Sequence, residues 1–200
     1  MLRDPALRRA RKGGGWLPPN PKRWEHEHNA LDLRHALSLA VEAQLPHQQA
    51  FNLLPDVHVM SHRELPLEPE VENHFAGANA KKWSGMCFPC PNGTMIVLYN
   101  DAHPATRVRA TLMEEFFHLW LDHPPTLLRV LPNGEGRRDF DGEKESEAYG
   151  SGAAALVPYK ALRAMLADGT STRGIAEHFW VSEQLVEFRI RVSKLGRLRR

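Results

Sequence analysis

The sequence predicts an α+β fold, a small mixed β-sheet packed on helices, and three observations carry that prediction. The run from Gly93 to Asn100 is short and apolar. It is bounded by a Pro91-Asn92-Gly93 turn and by Asn100-Asp101, which is strand punctuation. From Ala105 to Asp122, apolar residues at Val108, Leu112, Phe116, Leu119 and Trp120 keep helical spacing, and Pro124-Pro125 ends the run. From Glu143 to Leu166 a second helical stretch contains Gly150-Ser151-Gly152-Ala153-Ala154-Ala155, small enough to let another helix approach closely. Pro158 marks a boundary or kink in it.

The remaining elements read as scaffold. His28 to Leu45 predicts a helix packed on the core, with Leu33, Ala36, Leu37, Ala40 and Val41 as its apolar stripe. Val57-His58-Val59-Met60 alternates like a short strand, and the Pro-rich stretch Leu65 to Val71 reads as loop. Cys87-Phe88-Pro89-Cys90 reads as a turn ahead of the 93–100 strand. These two thiols are the whole cysteine inventory, and with no βαβ frame and no second pair, a redox dithiol or half of a metal site is the lesser reading. Thr172 to Phe179, Trp180-Val181 and Ser182 to Leu195 have helix-turn-helix cadence. Ser182 serves as N-cap, and Leu185, Phe188, Val192 and Leu195 share one face. The expected organisation is a basic Pro/Gly arm over 1–23, a main domain over 24–168 and a helix-turn-helix-like tail over 169–200.

Two hundred residues at 42% hydrophobic content can bury one sizeable core plus a small helical appendage. A formal net charge of +2 implies no global attraction to nucleic acid, so basic residues matter only where they cluster. Arg3, Arg8, Arg9, Arg11 and Lys12 precede Gly13-Gly14-Gly15, which reads as a disordered arm and linker. No 18-residue apolar span and no leader pattern occurs, so membrane insertion is not expected. The sparse cysteine usage fits a reducing cytoplasm.

Most of the chemistry lies in Glu114-Glu115-Phe116-Phe117-His118. It has the spacing of the zinc-protease motif His-Glu-x-x-His with the first histidine exchanged for glutamate. In that motif the residues at i and i+4 lie one turn apart on a helix face and hold Zn²⁺, while the intervening glutamate acts as base. Glu114 and His118 occupy the ligand places, and Glu115 that of the base. By composition alone such a string is a weak signal, and a solvated acidic helix face is its bland reading. The strand before it and the small-residue helix after it favour the functional one. Glu25 and His28 repeat the Glu-x-x-His spacing, but nothing else supports a bundle holding two metal ions.

With these features the chain from about Trp83 to Leu195 resembles the bacterial ImmA/IrrE family of metallopeptidases. The family pattern is a strand, Asn, an Arg-containing Thr-Leu helix start, His-Glu-x-x-His, a loop with a further His, and Glu-Ala with Pro ten residues on. Met95 to Asn100, Arg109 to Leu112, Glu114 to His118, His123, and Glu147-Ala148 with Pro158 match it in order. The departure is Glu114, where the family places its first metal-binding His. The resemblance implies a zincin-like domain with His118 and Glu147 as metal ligands, Glu115 as general base and Glu114 supplying the missing ligand. Glu145 competes with Glu147, since the two face different sides of a helix, and the Glu-Ala register favours Glu147. A carboxylate replacing an imidazole still allows Zn²⁺ but shifts preference toward Mn²⁺ or Fe²⁺ and weakens Lewis acidity. His123 is expected to line the cleft or orient a ligand. Tyr149 or Arg109 is expected to stabilise a developing oxyanion, though the spacing selects neither.

The function so implied is metal-dependent cleavage of a protein target, with a transcriptional repressor as the target class. The alternative is a pseudo-enzyme acting as a regulatory module that binds a protein or DNA. Arg189, Arg191, Lys194 and Arg197, ahead of Arg199-Arg200, are the expected DNA-contacting residues.

Overall fold

The computed structural model describes residues 17–65, 69, 82–124, 128–130, 136–138 and 141–199. The basic arm residues Arg3 to Lys12, most of the Leu65 to Val71 stretch, and Arg200 lie outside the described residues. In chain order the elements are α1 (Trp24–Ala36), α2 (His47–Ala50), β1 (Val57–Ser61), β2 (Gly85–Pro89), β3 (Met95–Tyr99) and α3 (Ala105–Trp120). They continue with β4 (Leu128–Val130), β5 (Gly136–Arg138), α4 (Gly142–Leu156), α5 (Tyr159–Ala167), α6 (Thr172–Phe179) and α7 (Glu183–Val192). The fold is α+β, and no helix among the described residues is long and apolar enough to cross a membrane. Two compact units form, one from the chain up to Pro46 together with Gly150 onward, the other from His47–Tyr149.

Within the 47–149 unit the sheet has strand order β1-β3-β2. β1 runs parallel to β3 with Val57 opposite Met95, and β2 runs antiparallel with Cys87 opposite Val97. The sheet is therefore mixed. β2 corrects the reading of Cys87-Phe88-Pro89-Cys90 as a turn: the turn comes later, closed by Cys90 N donating to Thr94 O at 2.8 Å and by Gly93 at φ 87°. Pro89 and Pro91 misled because a proline at the end of an edge strand removes no ladder bond. β4 and β5 form a separate two-stranded ladder that the sequence did not announce.

α3 holds closely to the predicted helix and stops where Asp122 turns left-handed at φ 54°. Its buried side is Leu112, Met113, Phe116 and Phe117, all 2% exposed or less, while Val108, Leu119 and Trp120 of the predicted stripe are half-buried. Phe116 meets Phe51 edge-on at 5.4 Å and stacks on Trp120 at 5.4 Å. Each such side chain contributes about 1.5–3 kcal/mol by leaving water. β2 runs close against this helix, for a Cβ built on Gly85 would lie 2.6 Å from Thr111 Cγ2.

In the other unit α1 is shorter than the predicted 28–45 helix and starts earlier. Glu25 and Glu27 in its first turn and Arg34 and His35 in its last complement the helix dipole. It ends at Ala36 because Ser38 takes φ 52° and Arg34 turns back into the chain. The buried Arg34 guanidinium donates to the carbonyls of Ala40, Ala43 and Ala155, two of which a continuing helix would have bonded internally. The small-residue run does allow close approach: a Cβ at Gly150 would sit 2.1 Å from His26 Nδ1, and Asn29 donates to Ser151 Oγ at 3.1 Å. α4 ends at Leu156, and Pro158 becomes the N-cap of α5. Ser182 caps α7 by accepting from Leu185 N, and α6 ends on Trp180 at φ 52°.

Arg189 contradicts its expected place on a basic DNA-contacting face. It is 1% exposed, ion-pairs with Glu27, also 1% exposed, and donates from Nε to Val157 O at 2.9 Å. Glu27 also accepts from Tyr159 N. A charge on the inward face of a helix is buried whatever its sequence neighbours suggest. Arg191, Lys194 and Arg197 are exposed, and the Arg191 guanidinium lies 5.7 Å from the Phe188 ring centroid.

Arg189→Ala leaves Glu27 as an uncompensated buried charge and should cost about 3–5 kcal/mol in chemical denaturation. The double change Glu27→Leu with Arg189→Met should recover most of that loss. A double variant as unstable as the single one would show that the pair acts in some other way.

Candidate metal centre

The helical period of α3 decides which way its acidic residues face. With residues 112, 113, 116 and 117 turned inward, Glu114, Glu115 and His118 remain half-buried on the other flank. Glu114 and His118 are one turn apart, as the spacing predicts. The third member comes from α4, where Glu145 Oε2 lies 3.4 Å from His118 Nε2. Glu114, His118 and Glu145 each offer one ligand atom, and all three atoms lie within 4.8 Å of one another. Among the described residues no other trio of His, Cys, Asp or Glu clusters in this way, and the Glu25/His28 repeat belongs to no such trio.

Glu147, the ligand that the Glu-Ala register favours, faces elsewhere. Its Oε2 is 3.3 Å from His123 Nε2, and His123 Nδ1 is 3.1 Å from His118 Nδ1. Residues two apart on a helix differ by roughly 200° in direction, so Glu145 and Glu147 do not serve one pocket equally. His123 is 6% exposed at its side chain and spans from His118 to Glu147.

Burial and neighbouring acids set the protonation of this group. Desolvation, then the charges of Glu115 and Glu145, push the Glu114 carboxyl up to about 7. Burial holds His118 below the usual histidine range; Glu145 opposes that shift and His123 adds to it. Glu115 points toward β2, where the Cys87 thiol donates to its Oε2 at 2.9 Å. Burial first, and the Glu115 charge second, push the Cys87 thiol well above its usual range. Sequence reasoning missed Cys87 because it lay in a supposed turn.

Arg109 and Tyr149 are the other expected participants. Arg109 is 2% exposed and its guanidinium donates to His47 Nδ1 at 3.2 Å, so its near neighbour is α2. Tyr149 is half-buried on α4.

The donor set fits a divalent cation. Two ligands about 2.1 Å from a shared tetrahedral ion are roughly 3.4 Å apart, the separation of His118 Nε2 and Glu145 Oε2. A half-buried carboxyl raised toward neutrality first by desolvation and then by two like charges is what a cation would relieve.

Against this geometry, the Peptidase_M78 family model, the IrrE N-terminal-like domain, matches residues 56–191. The chain belongs to this peptidase family, and the match extends upstream of Trp83 to take in β1. Neither a curated protein nor a solved structure matches significantly.

Two outcomes test this description. His47 is pushed down to about 4 by burial and by Arg109, so between pH 6.5 and about 4 the unfolded chain binds the extra proton. That contribution to stability is complete above pH 6.5 and fades toward pH 4. The melting temperature of wild type relative to His47→Gln should therefore fall steadily as pH drops through that window, and a constant difference would contradict it. Residues 87–90 are extended, placing the two Cα atoms roughly 10 Å apart, beyond disulfide reach. Mild oxidation of the native protein should leave both thiols titratable after denaturation, and an intramolecular disulfide on mass analysis would contradict the strand.

Proposed function

We propose that this protein is a metal-dependent endopeptidase of the ImmA/IrrE type, hydrolysing a peptide bond in a protein target. A transcriptional repressor is the target class that the family resemblance implies. The observation that carries the reading is the convergence of Glu114, His118 and Glu145 from two helices, with the Glu115 charge acting on Glu114. Glu145 takes the ligand place that the register gave to Glu147. Two carboxylates and one imidazole accommodate Zn²⁺ and favour Mn²⁺ or Fe²⁺ more than the usual two-histidine set does.

When bound, the ion would supply Lewis acidity and lower the pKa of water. Glu115 acts as the general base, taking a proton at one carboxylate oxygen and passing it to the leaving amine. The Cys87 thiol, by donating to Oε2, holds that carboxylate in place and leaves Oε1 to carry the proton. Glu114, as an acid at the first ligand position, would leave the ion a weaker Lewis acid than an imidazole would.

Metal analysis and cleavage assays on the full chain separate this reading from a pseudo-enzyme. Wild type loaded with Mn²⁺ or Zn²⁺ should hold about one ion per chain, and His118→Ala none. Glu115→Gln should keep the ion and lose roughly 10²–10⁴-fold in cleavage of a quenched-fluorescence peptide library. Equal cleavage by wild type and Glu115→Gln would end the peptidase reading even with metal present.

A further inference from the structure

Two carboxylates bracket two imidazoles in one line. Glu145 Oε2 faces His118 Nε2 at 3.4 Å, His118 Nδ1 faces His123 Nδ1 at 3.1 Å, and His123 Nε2 faces Glu147 Oε2 at 3.3 Å. The line has three gaps. Each gap needs a hydrogen or a cation, because every facing pair otherwise presents two lone pairs to each other. An ionised carboxylate only accepts, and a neutral imidazole carries one N–H. Two neutral histidines therefore supply two hydrogens for three gaps, and the last gap takes either a further proton or a cation. Glu114 stands beside Glu145 and His118, so the third acidic oxygen marks the Glu145 end as the cation's gap.

We propose that Glu147 acts through His123 as a positioning pair that fixes the tautomer of His118 and turns its Nε2 lone pair toward the cation pocket. Glu147 accepts from His123 Nε2–H, which leaves His123 Nδ1 bare. That bare nitrogen accepts from His118 Nδ1–H, which leaves His118 Nε2 bare in turn. The ring orientations are held at both ends, for His118 and His123 also meet edge to face at 5.1 Å. This inference rests on the metal reading above and gives Glu147 a part other than ligation.

The test uses full-length protein with ¹⁵N-labelled histidine, stripped with chelator and then titrated with Zn²⁺. Ring-nitrogen spectra of the zinc form should place the proton of His118 on Nδ1 and that of His123 on Nε2. In Glu147→Gln, whose amide donates as well as accepts, His118 should become a mixture of tautomers. Zn²⁺ affinity by competition with a chromophoric chelator should fall roughly tenfold to a hundredfold, and Glu147→Asp should restore part of it. Unchanged tautomer and affinity in Glu147→Gln would overturn the proposal. So would loss of zinc as complete as in His118→Ala, which would make Glu147 a ligand itself. Failure of wild type to bind Zn²⁺ would refute the metal reading separately. The metal-free ring spectra then decide: an altered His118 tautomer in Glu147→Gln upholds the relay, and an unaltered one overturns it.

Discussion

The aromatic anchorage of α3 is the constraint on which the site depends. Phe116 is held between Phe51 and Trp120, and Met113 and Phe117 are wholly buried beside it. With that flank fixed, the roughly 100° step of a helix leaves no freedom in where the neighbouring side chains go. Glu114 and His118 share one direction and meet Glu145. Glu115, one step further round, meets Cys87 instead. Glu114 and Glu115 are thereby turned to different neighbours by packing that involves neither.

The exchange of imidazole for carboxylate at Glu114 changes the electrostatics more than the shape. The position keeps its reach, but the pocket gathers Glu114, Glu115 and Glu145 in a partly dry setting, and Glu114 responds by holding its proton to about pH 7. A cation entering there would compete with that proton, which would couple its binding to deprotonation. A histidine would have offered a neutral donor without this contest.

Local patterns made some features legible and tertiary partners hid the rest. α3, β3 and the break at Pro158 were readable because periodicity and proline act within a few residues. β2 was obscured by prolines that are harmless at an edge strand's end. The end of α1 depended on Arg34 reaching Ala155, and the burial of Arg189 on Glu27, partners 121 and 162 residues apart that no local signal connects. The candidate site was legible to the level of the helices that carry it. The motif gave Glu114, Glu115 and His118, but two glutamates separated by one residue could be ranked only by analogy, and the helix's actual rotation brings Glu145 to His118.

Gly85 bears on how the sheet keeps its alignment. Strands tend to slip in steps of two, because such a step preserves which face each side chain occupies. At Gly85 a two-residue slide would bring Cys87 to the place where even a single carbon would collide with Thr111. The missing side chain thus works as a notch into which the helix fits, locking the strand at the one setting in which its thiol reaches the acid it touches.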